Sequence, residues 1–339
     1  MKNIRFIPRK QVVGKRFIAW LVLTLSLCVQ AEPISQVYKG IKQDSFYDIC
    51  FRGEKGLVVG NNSVVLRTID GGDNWVPISV TSDSIAMLGV ACRESGSVIV
   101  GQEGRVYVEE NGGWKQVDSG TDARLLSVAM SDSGLGFATG GFGTVLRTKD
   151  SGATWSLLPI DWEATIQDFQ EPHIYDVAVS NAGIVTLVGE FGLVLQSEDS
   201  GDSWHAVRKE HASLFAIHFA DSSLGYAVGQ DGEIIRTEDG GRSWVSIEAN
   251  NSGNLLGVWS SYQGEVLITG IRTMLRSHDD GNTWESLVSD GIATGWYAGV
   301  AEALVHQSPS VHTEDDVADV VYAKVFAAGN YGEIIEILE

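Results

Sequence analysis

Thr237-Glu238-Asp239-Gly240-Gly241-Arg242-Ser243-Trp244 is the stretch whose reading decides the fold. It lies inside a longer unit, Gly225 to Ile247, that reads as three short strands joined by two turns. Tyr226 to Gly229 is apolar, Gln230-Asp231-Gly232 is a tight turn, Glu233 to Thr237 alternates, and Trp244 opens a third strand. The same eight-residue segment returns as Thr68–Trp75, Thr148–Trp155, Ser197–Trp204 and Ser277–Trp284. A worn copy, Glu109-Glu110-Asn111-Gly112-Gly113-Trp114, fills the second slot without the Asp. A spacing of roughly 40 residues between copies marks a propeller, a solenoid or an array.

The consensus is [ST]-x-D-x-G-x-[TSN]-W, and each position has a physical reason. Asp70, Asp150, Asp199, Asp239 and Asp279 can accept backbone N–H bonds across a turn, and the following Gly supplies a positive φ. Trp75, Trp155, Trp204, Trp244 and Trp284 offer large rings to pack between neighbouring units. The pattern resembles the Asp box of sialidase-type propellers. The wider unit, clearest at Gly140–Trp155 and Gly229–Trp244, more closely resembles the photosystem II stability/assembly factor-like family. That resemblance implies a β-propeller that helps to assemble or stabilise a membrane protein complex. Nothing in these residues points to photosystem II itself.

Counting the units gives the architecture. First strands are expected at Phe46–Phe51, Leu88–Cys92, Leu125–Met130, Ile174–Val179, Leu214–Phe219, Leu255–Ser260 and Trp296–Ala301. The last unit stops at Glu339 before any Trp strand, while a spare strand lies near Ile34–Ile41. The expected fold is therefore all-β: a seven-bladed propeller whose N-terminal strand completes the last blade, which leaves only short, protected edges. The composition agrees, with 39 Gly and 6 Pro.

Residues 1–31 carry six basic and no acidic residues ahead of the run Phe17–Val29, with Val29-Gln30-Ala31 at the cleavage position. An apolar run of about 13 residues is short of the ~20 a spanning helix needs, so a cleaved signal peptide is expected. An uncleaved anchor and a lipoprotein at Cys28 compete with that reading, although Leu25-Ser26-Leu27-Cys28 has Leu27 where a small residue is wanted. The expected domain is then 32–339, periplasmic or secreted, monomeric, and not inserted in the membrane once the signal is removed. The chain has 24 basic and 44 acidic residues, net −20, and loss of the six leader cations deepens this to about −26. Such a surface disfavours nucleic acid. Cys50 and Cys92 sit one position out of register in neighbouring units. Alternation along a strand then puts them on opposite faces, so buried free thiols are expected, with a disulfide as the alternative.

Two segments exceed the repeat: 159–173 between the third and fourth blades, and 306–318 in the last blade. Long loops of this kind are functional or disordered. Trp162 and Phe169 make the first insert apolar, so it reads as a docked binding loop, the alternative being a plug against its own blades. Hairpin alternation puts it on the same face as the turn tips. There Phe142, Phe191 and Tyr331, with Glu103, Glu190 and Asp231, would suit a peptide or a partner surface, unless they are merely turn residues. Arg67, Arg147, Arg236 and Arg276 share one repeat position. The family resemblance implies a partner-binding arginine surface, but interruptions in the series favour local structural pairing.

Catalysis is not expected. The arginine-bearing motif that precedes sialidase Asp boxes is absent, the seven His residues form no ligand cluster, and there is no nucleophile elbow or phosphate loop. No cofactor and no metal are expected. The reading is a non-catalytic interaction platform or assembly factor for a membrane or envelope complex, a transporter among the candidates. Carbohydrate binding or sialidase-like glycoside hydrolysis is the alternative.

Overall fold

A computed structural model describes residues 33–167, 169–307 and 320–338. The expected signal peptide, and all but the first two residues of the expected 306–318 loop, lie outside the described residues. The rest forms seven four-stranded antiparallel sheets. Their first strands are Phe46–Arg52, Met87–Ala91, Leu125–Met130, Ile174–Val179, Leu214–Phe219, Leu255–Ser260 and Tyr297–Gln307. Each first strand packs against the next, and Phe46–Arg52 packs against Tyr297–Gln307, so the ring is closed. Blades are numbered here in that order. In blade 7 the outermost strand is Ile34–Lys39, paired antiparallel with Glu333–Ile337 from Ile34↔Ile337 to Lys39↔Glu333. The seven-bladed, N-terminally closed propeller is thus the architecture observed.

No single core holds this ring together. The buried apolar side chains fall into seven clusters, one at each seam between blades. Alternation explains the division: along Gly56–Val59, Val58 packs toward blade 7 and its neighbours Leu57 and Val59 toward blade 2. A sheet covered on both faces needs apolar residues on both, which is why the second strands read as continuous apolar runs.

The repeated turns lock the seams. In blade 5 the Thr237 hydroxyl donates to Asp239 Oδ1 (2.8 Å) and accepts the Gly241 N–H (2.9 Å). Asp239 also accepts the Ser243 amide (2.9 Å) and hydroxyl (2.6 Å), and these bonds hold its carboxyl down at about 2. The same set recurs around Asp70, Asp150, Asp199 and Asp279. The folded turn lays the Gly two residues after its Asp on the preceding blade. A Cβ on Gly152 (φ +89) would press on Val98 and Val108, and one on Gly201 would collide with Phe137. A donor from that preceding blade then binds the carbonyl between Asp and Gly. Arg147 reaches Ser200 O (2.9 Å), Gln196 reaches Gly240 O (2.8 Å), Arg236 reaches Asp280 O (3.0 Å) and Arg93 reaches Ser151 O (3.0 Å). Three of the four arginines aligned in the sequence thus bind a backbone carbonyl across a seam, Arg276 reaching Leu338 O (3.0 Å) between blades 6 and 7. The fourth, Arg67, meets the Glu109 side chain across the blade 1–blade 2 seam. The Trp of each turn enters the same seam, with Trp204 edge-on to Phe137 at 6.1 Å.

Blade 2 departs from the pattern. Its last hairpin is a two-residue loop, Asn111 (φ 51) and Gly112 (φ 78), between Val106–Glu110 and Gly113–Val117. Asn-Gly is the preferred pair for a tight I′ turn, so this is a complete short hairpin and not a decayed copy of the longer one. At the seam it leaves uncovered, Cys50 and Cys92 form a disulfide, with Cα atoms 5.5 Å apart. The expectation of free thiols was therefore wrong. Alternation does put the two side chains on opposite faces of equivalent sheets. But adjacent blades stack face against face, so opposite faces are the pair that meets.

Two expectations follow. Replacing both cysteines with Ala, or reducing the bond, which spans 42 residues, is expected to lower stability by up to about 4 kcal/mol on the chain-entropy account, read by denaturant unfolding. In blade 5, Thr237→Val strands the buried Gly241 N–H and should cost about 1–3 kcal/mol, whereas Asp239→Ala, at an exposed site, should cost about 1 kcal/mol or less.

Candidate partner-binding surface

The turns between second and third strands all emerge on one face. Each carries a non-glycine residue in the left-handed region at its tip: Asn62, Glu103, Phe142, Phe191, Asp231, Arg272 and Tyr331, with φ between 50 and 60. For bulky aromatic residues this conformation is uncommon and costs energy. The residue before the tip has a local task. Asn61, Gln102, Glu190 and Asn330 each accept the N–H just ahead of their blade's first strand, at Ser45, Ala86, His173 and Trp296. Glu190 Oε2 is thus committed to the His173 amide (2.8 Å), and its charge adds to burial in raising the Tyr175 hydroxyl pKa. It belongs to the scaffold of the surface and not to its outer layer.

The expected site residues separate clearly. Phe142 is 72% exposed, Phe169 87% and Tyr331 39%, and all three present apolar surface on this face. Glu103 and Asp231 are exposed on blades 2 and 5, while Phe191 is half-buried. Trp162 is a correction: it is only 7% exposed, so its ring is not offered to a partner. The insert folds as a short helix, Trp162–Ile166, capped by Asp161, whose carboxylate accepts the Ala164 N–H (3.0 Å). Trp162 and Ile166, four residues apart, share a helix face and pack into the blade 3–blade 4 cluster with Phe137, Ile174 and Leu193. The Trp162 ring lies over Gly143, where a Cβ would collide with it. The insert is at once a plug, through Trp162, and a surface, through Phe169.

The aromatic surface extends further than the tips. Phe142 lies 4.9 Å from His173, which stacks on Tyr175 at 6.3 Å, and Tyr175 meets Phe215 edge-on at 5.2 Å. The path runs from a tip on blade 3 to the innermost strands of blades 4 and 5. Across the ring, Tyr47 stacks on Trp296 at 6.0 Å; exposed Ile271 bridges Trp296, and exposed Tyr331 follows Asn330, which bridges Ser45. Tyr47, Leu88, Leu126, Tyr175, Phe215 and Leu256 are all the second, half-buried residue of a first strand, where the register slips by one. Sequence reading missed this ring because the bulge breaks the alternation that would have sorted those side chains by face.

Chemistry at the centre of the ring is structural in character. Burial raises Asp48 to about 7 and Asp176 to about 6. Both span seams: Asp48 accepts the Ile49 and Val90 amides (each 2.8 Å), and Asp176 accepts the Ile217 amide (2.8 Å) and the Ser127 hydroxyl (2.6 Å). His218 Nδ1 accepts the Ser260 amide (3.1 Å), and burial lowers that imidazole to about 4. Among the described residues no three His, Cys, Asp or Glu side chains group as metal ligands. No helix among them is long and apolar enough to cross a membrane.

The double role of the insert gives a direct contrast. Trp162→Ala should cost about 3–5 kcal/mol by opening a cavity at the seam. Phe169→Ala should change stability by no more than about 0.5 kcal/mol. Thermal unfolding of the two variants checks this.

The comparisons with known proteins fit this geometry. The model of the family described as photosynthesis system II assembly factor YCF48 matches residues 106–212 and 208–301. The chain is similar to photosystem II stability/assembly factor HCF136, chloroplastic, from Oryza sativa subsp. japonica, at 30% identity over 38% of this chain and 33% of that protein. It is similar to the Arabidopsis thaliana HCF136 at 32% identity over 31% of this chain and 28% of that protein. The matches thus span about a third of the length of these curated relatives. Two solved structures share the fold. One, titled YCF48 bound to D1 peptide, has TM-score 0.67 at 18% identity, covering 92% of this chain and 98% of that one. The other, YCF48 from Cyanidioschyzon merolae, has TM-score 0.68 at 18% identity, covering 90% and 98%. With its matched residues spanning more than half of its length, the chain belongs to the family of the photosystem II assembly factor YCF48.

Proposed function

We propose that this protein is a non-catalytic assembly or stability factor that holds an extended segment of a membrane or envelope protein across its tip face. The observation that carries the reading is the aromatic path Phe142–His173–Tyr175–Phe215, with Phe169 exposed beside it and Tyr47, Trp296 and Tyr331 across the ring. Aromatic anchors bounded by charged side chains, here Glu103 and Asp231, are what protein interfaces use. An open face of this kind suits a polypeptide better than a small molecule, which needs a concave site. The family relation supports an assembly role, and a solved relative holds a peptide. A transporter or another envelope complex is the partner class we favour for this chain. The Cys50–Cys92 disulfide supports work in an oxidising compartment such as the periplasm.

The test is affinity capture from detergent-solubilised envelopes, followed by mass spectrometry. The whole chain is expected to retain a membrane protein that the triple variant Phe142→Ser, Phe169→Ser, Tyr331→Ser loses, while both unfold at the same temperature. Equal retention by the variant would remove the tip face from the interaction.

A further inference from the structure

Five of the seven seams are covered by an Asp-x-Gly turn from the following blade, and the seam between blades 6 and 7 is closed by the chain end at Leu338. Among the described residues the seam between blades 1 and 2 has neither. The two-residue Asn111-Gly112 hairpin stops short of blade 1, and a groove of about 390 Å³ lies where a turn would sit. We propose that this groove is a docking slot for an acidic Asp-x-Gly turn presented by a partner protein.

The register of the strands identifies the slot. Leu57↔Arg67 in blade 1 is the same cross-strand pair as Val98↔Val108, Phe137↔Arg147, Thr186↔Gln196 and Phe326↔Glu336. Each of those four pairs supports a docked turn from the next blade. The Gly two residues after the turn Asp lies on Val98 and Val108, on Phe137, on Gln196 and Thr186, and on Phe326. Leu57 and Arg67 line the open groove instead. Arg147 and Arg236, at the position of Arg67, bind a turn carbonyl, whereas Arg67 has no such carbonyl and holds the Glu109 side chain at 2.5 Å.

Charge and burial point the same way. The groove is lined by four cations, Arg52, Lys55, Arg67 and Arg93, against three carboxylates, Glu94, Glu109 and Glu110. Arg52 also pairs with Asp132 (3.1 Å) outside the lining, so the groove is close to charge balance on a chain of net charge −20, and it is the guanidinium donors in it that suit an acidic turn. Arg93 is only 9% exposed, and its Nε has no hydrogen-bond partner. The five docked Asp-x-Gly turns of the described residues are already seated at their own seams, so the occupant we assign to the slot is a partner's turn. The disulfide explains how the seam survives without one. Cys50 and Cys92 join the two blades at the level of the groove, so the slot stays open while the blades stay together.

This slot lies on the face opposite the tip surface and stands independently of the function proposed above. The test uses a cyclised peptide of the chain's own turn, Thr237–Val245, titrated calorimetrically into the whole chain with its disulfide intact. Saturable one-to-one binding is expected, weakened about tenfold or more by Arg67→Ala through loss of a charged hydrogen bond. In a second variant Thr237–Ser243 replaces Glu109–Gly113, which builds the missing turn in cis, and binding should disappear with the unfolding temperature kept or raised. Absence of saturable binding by the unmodified chain would overturn the proposal. So would unchanged affinity in the Arg67→Ala variant or in a folded turn-graft variant.

Discussion

One buried hydroxyl per turn governs this structure. Thr68, Thr148, Ser197, Thr237 and Ser277 each accept the amide of the glycine two residues after the Asp and donate to the Asp carboxylate. With that bond in place the turn is rigid, its glycine backbone can lie flat on the preceding blade, and its middle carbonyl faces the neighbour's Arg or Gln. Blades 3 to 6 are each then fastened to the one before by a polar contact to the turn that forms their own outer hairpin. A four-stranded sheet cannot bury both faces alone, so this repeated fastening turns seven marginal units into one ring.

Where the fastening is missing, the chain uses other means. The side chain-to-carbonyl contact missing at the blade 1–blade 2 seam is replaced by a covalent bond between Cys50 and Cys92 and by the Arg67–Glu109 ion pair. The seam between blades 6 and 7 is closed by the Ile34–Lys39 strand and the bond from Arg276 to Leu338 O. Both solutions keep the innermost strands in contact around the axis, which is the geometric condition for a closed propeller. They differ in what they leave exposed: a groove of about 390 Å³ at the first seam against one of about 60 Å³ at the second.

The two faces of the ring divide the work. On one, turns are constrained by Asp, Gly and Thr because they must dock on a neighbour. On the other, tips need only reverse direction, so their outer residues are free to vary and to carry recognition. Phe142 and Tyr331 hold left-handed backbone conformations that glycine would adopt at lower cost. Bulky residues persist in such positions where the surroundings over-determine them, most often at functional sites.

The sequence by itself determined the blade count, the strand order and the closing strand, because each rests on local pattern: a turn that only certain residues can make, and alternation of period two. It also carried two signals that a closer reading finds, the Asn111-Gly112 hairpin and the one-face pair Trp162 and Ile166 behind an Asp161 cap. Tertiary structure alone decided which surfaces face each other. Cys50 and Cys92 meet because stacked blades present opposite faces, a relation between sheets that no single strand's periodicity contains. The aromatic ring of Tyr47, Tyr175 and Phe215 arises because a bulge turns one residue per blade out of register, and Trp162 is buried because the insert crosses a seam. Local sequence fixes the shape of a unit. The packing of unit on unit fixes which of its side chains remain for a partner.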